Sequence, residues 1–181
     1  MMLSLIIFFA LFNVDDTIEW NENIKLKFED FRGVKPENSE FDAKTYYMIT
    51  YDFDRFYLKT KCIFLKESSF LDGNSELLLL HEQLHFDNGG LRARIIENEI
   101  KYLVFENNIE ITVFNESNYF EKYHAKTKKF ETLYDSTTKH GTIRDKQLIW
   151  VDIIEEAKKE KYLNIEEYEN IINNHLKEST F

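Results

Sequence analysis

Two observations predict an α+β fold for this chain of 181 residues: strand-like patterning fills its first third, and helical patterning fills almost everything after Ser68. A third is the scarcity of turn-formers. With 1 Pro and 5 Gly, the turns must come mostly from Asn, Asp and Ser.

In chain order, Ile24, Leu26 and Phe28 alternate with Lys25, Lys27 and Glu29, the period of a half-buried strand. Residues 34–39 (VKPENS) hold the only proline, Pro36, and read as a loop. Residues 43–53 and 56–65 are rich in Tyr, Phe, Ile and Thr and read as two strands. Asp52-Phe53-Asp54-Arg55 between them reads as a hairpin turn without the usual glycine. Asp72-Gly73-Asn74-Ser75 supplies a turn and an N-cap, with Glu76 in the first helical turn. Helical spacing then predicts helices over about 74–104, 115–136, 142–160 and 165–177. Residues 109–114 (IEITVF) are β-rich and fit a short strand. Asn88-Gly89-Gly90 predicts that the first helix bends or ends there, because each interior glycine costs about 1 kcal/mol relative to alanine. There is no repeat or low-complexity tract, so residues 15–181 read as one domain, with the tail from Leu163 onward packed on it.

Composition narrows the function. Apolar residues make up 43% of the chain, enough for a sizeable core. Against 33 Asp+Glu there are 23 Lys+Arg, a net charge of −10 that disfavours nucleic acid and anionic membranes as partners and weakly favours basic peptides. A single cysteine, Cys62, excludes an internal disulfide and any multi-cysteine metal cluster.

Leu3 to Phe12 (LSLIIFFALF) is apolar apart from Ser4. It is too short for a bilayer span, which takes about 20 residues. Its length suits the core of a signal peptide over residues 1–14, although no Lys or Arg precedes it and no small-x-small cleavage site follows. The expectation is a secreted or periplasmic protein; the alternative is a cytoplasmic one whose first residues pack into the core.

The chemistry concentrates at His81-Glu82-Gln83-Leu84-His85. On a helix, residues i and i+4 share a face, so both imidazoles can hold one metal ion. Glu82 then stands beside a water on that metal. This is the H-E-x-x-H pattern of zinc peptidases: zinc brings the pKa of its water to about 7, and the glutamate takes the proton and passes it to the leaving amine. The competing reading is a helix whose two histidines make ordinary hydrogen bonds. A catalytic zinc needs a third protein ligand. Asn88 and Leu91 occupy the offsets where a metzincin has Gly and His, so that class is excluded. His140, in a break between two helices, is the favoured third ligand. His124 and His175 lie in charged helical stretches, Cys62 in an apolar strand, and Glu97 and Glu99 on what reads as a solvated face.

His81 to Asp87 (HEQLHFD), with Leu78-Leu79-Leu80 before it and Ala93-Arg94 after it, resembles the predicted secreted zinc-dependent proteases marked by HEQ-x-HFD. Trp20, Leu26, Phe28, Asp30-Phe31, Gly33, Pro36, Ala43 and Thr45 resemble that family's opening segment. Tyr134-Asp135, Thr137-Thr138, His140-Gly141, Gln147 and Trp150 resemble its closing one. The similarity runs from about Trp20 to Ala157. It departs at Asn88-Gly89-Gly90 and at Phe70, where the family tends to carry Trp. The resemblance implies a zincin-like, exported metallopeptidase with His81 and His85 as zinc ligands, Glu82 as base and His140 as third ligand. Tyr134 would lie within reach of the same loop, either as an oxyanion donor or as a core tyrosine. Asp87, about 200° round the helix from His85, reads as structural. The rival to an enzyme is a scaffold of the same kind that only binds.

Overall fold

The computed structural model describes residues 14–54, 57–110, 112 and 116–178. The hydrophobic run assigned to a signal peptide lies outside them.

The described chain is α+β. Strands β1 (Thr17–Glu19), β3 (Tyr47–Asp54) and β4 (Tyr57–Leu65) form an antiparallel sheet in the order β1-β4-β3. Ile18 pairs with Phe64, and Ile49 with Cys62. Strands β2 (Ala43–Lys44) and β5 (Phe70–Leu71) make a separate short antiparallel pair. Four α-helices follow: α1 (Glu76–Lys101), α2 (Glu116–Thr138), α3 (Arg144–Lys159) and α4 (Ile165–Glu178). None of the described helices is long and apolar enough to cross a membrane.

Helix α1 is the centre of the molecule. Ser75 caps it, its side chain accepting from the Leu78 amide at 3.3 Å. One face meets the sheet, where Phe86 and Ala93 pack with Leu26, Cys62 and Phe64. Another face meets α2, α3 and α4, where Leu84, Leu91 and Ile95 pack with Phe130, Trp150, Ile154 and Tyr168. Its middle is therefore buried on every side, polar residues included. Several of these have specific partners, as burial demands. Asp87 accepts from Trp20 Nε1 at 2.9 Å and pairs with Lys158 at 3.2 Å, while Asn88 accepts from the Tyr168 hydroxyl at 3.0 Å.

Two sequence expectations are corrected. The first helix does not end at Gly89-Gly90; it runs on through Lys101 and closes in a π-helical turn, Tyr102–Glu106. The glycines serve close packing instead. A Cβ on Gly90 would lie 1.9 Å from the Trp20 indole, and one on Gly89 2.7 Å from the Tyr47 ring. Residues 24–28 are not a strand either. Residues 24–27 lie beside α1 without strand pairing and lead into a short 3-10 helix, Phe28–Asp30. Gln83 stands where a strand partner would be, its Oε1 accepting from the Leu26 amide at 2.6 Å and its Nε2 donating to the Ile24 carbonyl at 3.3 Å. The hairpin strand continues through Asp54, so residues 52–54 of the turn the sequence suggested belong to β3. Of the β-rich stretch 109–114, the described residues Ile109, Glu110 and Thr112 carry no strand. The tail packs as expected, with Leu163, Tyr168 and Ile172 buried against the core.

Candidate metal centre

Helices α1 and α2 run antiparallel, so polar residues a turn apart on each face one another. Arg92 meets Thr127, His85 meets Glu131, and His81 meets Tyr134 and Asp135. On α1 the spacing of four puts His81 and His85 on one side, as their sequence positions require. Their Nε2 atoms are 3.1 Å apart. Asp135 Oδ1 lies 3.0 Å from His85 Nε2 and 3.6 Å from His81 Nε2. These three donors lie within 4.8 Å of one another and form the described group fit to hold a metal ion.

The hydrogen bonds around the histidines favour protons on their outer, Nδ1 nitrogens. The Tyr134 hydroxyl touches both the His81 carbonyl, at 3.1 Å, and His81 Nδ1, at 2.6 Å. A carbonyl only accepts, so the hydroxyl donates to it and receives the Nδ1 proton, leaving Nε2 with a bare lone pair. His85 Nδ1 faces Glu131 Oε2 at 2.8 Å. The carboxylate accepts there, and the Nε2 of His85 likewise points inward. Three acceptors in mutual contact repel unless a cation stands among them, a proton or a metal. Asp135 Oδ1 is buried without an aligned donor, which fits that need. The donor set also suits zinc: bonds of 2.0–2.1 Å in a tetrahedron put ligand atoms about 3.3 Å apart, and here they are 3.1, 3.0 and 3.6 Å apart.

The charge balance follows the same logic. Burial, then the neighbouring His85, lowers the His81 pKa to about 3, keeping it a neutral ligand. Burial also opposes charge on His85, but the flanking Asp135 and Glu131 carboxylates outweigh it and raise its pKa to about 10. The site attracts positive charge. Burial raises the pKa of Glu82, whose backbone carbonyl accepts from Thr45 Oγ1 at 3.2 Å. Glu82 Oε2 is buried with no partner.

His81, Glu82, His85 and Asp135 line one cleft of about 820 Å³. One wall is residues 40–45, including β2; the other is the turn after α2, residues 139–142. That turn is built from consecutive left-handed residues: φ is 48° at Lys139, 51° at His140 and 80° at Gly141. Only glycine fits the last position, because a Cβ there would stand 2.7 Å from His81 Cγ as well as in a disfavoured backbone region. Gln147 Nε2 holds the turn by donating to the Gly141 carbonyl at 2.6 Å.

Family models, characterised proteins and solved structures were all compared with the chain, and none matches.

The structure brings together four of the five site residues expected from sequence: His81, Glu82, His85 and Tyr134. The fifth, His140, borders the group. Its imidazole is half exposed at the cleft mouth, 3.5 Å from Asp135 Oδ1 through Nδ1 and against the ring of Phe41. Asp135 takes the third place in the described cluster. Tyr134 is buried with its hydroxyl on His81. His175 pairs with Glu156, Glu97 with Thr60, and Glu99 with the Ile165 amide, all outside this group. Asp135 stands in the Tyr134-Asp135 match of the closing segment, but nothing in the sequence marked it, one of 33 acidic residues, as a ligand. The signal that finds it is its spacing on α2: Thr127, Glu131, Tyr134, Asp135 and Thr138 recur at three- and four-residue intervals on one side of an otherwise charged helix.

Proposed function

We propose that this protein is a zinc-dependent hydrolase of peptide or protein substrates on a zincin-like scaffold, as the resemblance to the HEQ-x-HFD proteases implies. The observation that carries the reading is the convergence of three atoms able to ligate a metal, His81 Nε2, His85 Nε2 and Asp135 Oδ1, beside a buried and unpartnered Glu82 Oε2 in a single cleft. The two histidines and Asp135 would hold the ion. Bound there, zinc supplies Lewis acidity for a carbonyl and lowers the pKa of water.

The remaining roles belong to the chain. Glu82 Oε2 has no competing hydrogen bond, and burial raises the carboxyl pKa, so it is suited to take a proton from water and return it to a leaving amine. Tyr134 holds His81 in the tautomer that presents Nε2. The cleft walls at 40–45 and 139–142 would flank the bound substrate. The apolar run at residues 3–12 supports export to a secreted or periplasmic location.

The test is metal content, then cleavage of a mixed peptide library followed by mass spectrometry. One zinc per chain, lost in His81→Ala, with cleavage abolished in Glu82→Gln, is the expected result. Zinc-loaded protein that cleaves nothing beyond the Glu82→Gln background would make the site a binding or structural one.

A further inference from the structure

Glu131 has no role in the reading above, yet both of its carboxylate oxygens are committed. Oε2 accepts from His85 Nδ1 at 2.8 Å, and Oε1 accepts from the Tyr47 hydroxyl at 2.8 Å. That hydroxyl in turn receives a proton from Arg92 Nη1 at 2.8 Å, and the guanidinium lies 3.6 Å from Glu131 Oε1. Arg92 is buried, and its Nε donates to Thr127 Oγ1 at 3.3 Å. The chain of contacts ties β3, α1 and α2 together at the back of His85. Gly89 leaves space for the Tyr47 ring that makes the link.

We infer that Glu131 is a positioning residue for the metal centre, holding His85 by its outer nitrogen, and that Tyr47 and Arg92 fix Glu131 in turn. This rests on the zinc reading of the cleft. The physical case has three parts. A carboxylate on Nδ1 settles the tautomer, so that Nε2 alone is free to ligate. Negative charge transmitted through the imidazole makes Nε2 a stronger donor. And a buried carboxylate beside a histidine would be costly unless paired, which Arg92 and the Tyr47 hydroxyl accomplish. Asp135 cannot do this work, because it lies on the inner side of the ring against Nε2. Tyr134 serves His81 in the same position, so each histidine has its own outer partner, one neutral and one charged.

The experiment measures zinc affinity of the full chain by competition with a chromophoric chelator, together with the visible absorption of the cobalt-substituted protein. Glu131→Gln keeps the size and an acceptor but removes the charge; Glu131→Ala removes both. The glutamine variant is expected to bind zinc about 10-fold more weakly and the alanine variant about 100-fold more weakly, each with a shifted cobalt spectrum. Tyr47→Phe, which frees Glu131 Oε1, should move affinity the same way by less. A role in folding alone would lower stability and leave the cobalt spectrum of the folded fraction unmoved. Should Glu131→Ala not fold, the other two variants decide. Wild-type affinity and an unshifted spectrum in Glu131→Gln and Tyr47→Phe would overturn the inference. A wild-type protein that binds neither zinc nor cobalt would instead overturn the metal reading beneath it.

Discussion

Replacing Gly90 by alanine sets two effects against each other. In an isolated helix the change stabilises by about 0.8–1 kcal/mol. Here the added methyl would fall 1.9 Å from Trp20 Cδ2 and 2.2 Å from Cε2. Carbon atoms pack at about 3.5–4.0 Å, so the indole would have to retreat by roughly 1.6 Å. It is not free to do so: its Nε1 donates to Asp87, which is buried, and Arg94 covers its ring at 5.4 Å. Overpacking costs about 1–3 kcal/mol. Loss of the bond to a buried carboxylate costs about 1.5–3 more. After subtracting the helix gain, Gly90→Ala should destabilise the protein by about 1.5–5 kcal/mol. Urea unfolding followed by far-ultraviolet circular dichroism reads this directly. A midpoint equal to wild type, or above it, would refute the claim that these glycines exist for packing.

Asp135→Ala should lose most of the bound zinc and His140→Ala should keep it, as read by elemental mass spectrometry; the reverse pattern would restore His140 as the ligand. Glu82→Gln should retain zinc while lowering any hydrolysis by about 10²–10⁴-fold, the usual contribution of a general base, checked by cleavage of the peptide library at equal metal loading. Tyr134→Phe should weaken zinc binding about 10-fold, and it should also destabilise the fold by about 1–3 kcal/mol because the His81 carbonyl and Nδ1 lose their buried partner. Chelator competition and urea unfolding measure the two effects separately.

The helices were legible because their faces alternate with water: α3 and α4 start and stop within two residues of the sequence reading. Helix α1 was legible for another reason, its cap at Ser75 and its motif, since burial on all sides erases amphipathic periodicity. The same burial hid the purpose of Gly89 and Gly90. Propensity weighs a glycine against alanine in water, whereas the ring of Trp20, 70 residues earlier in the chain, decides the matter at Gly90. Residues 24–28 show a third kind of failure. Their alternation does describe which side chains turn inward, with Leu26 buried, but periodicity carries no word on whether the backbone's partner is a strand or a side chain. At the site, the two histidines could be paired from local spacing. Asp135 could not, because the contact depends on how two helices are juxtaposed.

Gln83 lies between the residues assigned to chemistry, and its amide is spent on another face of the helix, rotated about 100° from Glu82. The backbone of residues 24–26 thus completes its hydrogen bonding only when α1 is formed and seated. The Leu26 amide proton is, in effect, a built-in indicator of the site-bearing helix: its exchange with solvent tracks the docking of a turn 57 residues away in sequence, without a probe ever entering the cleft.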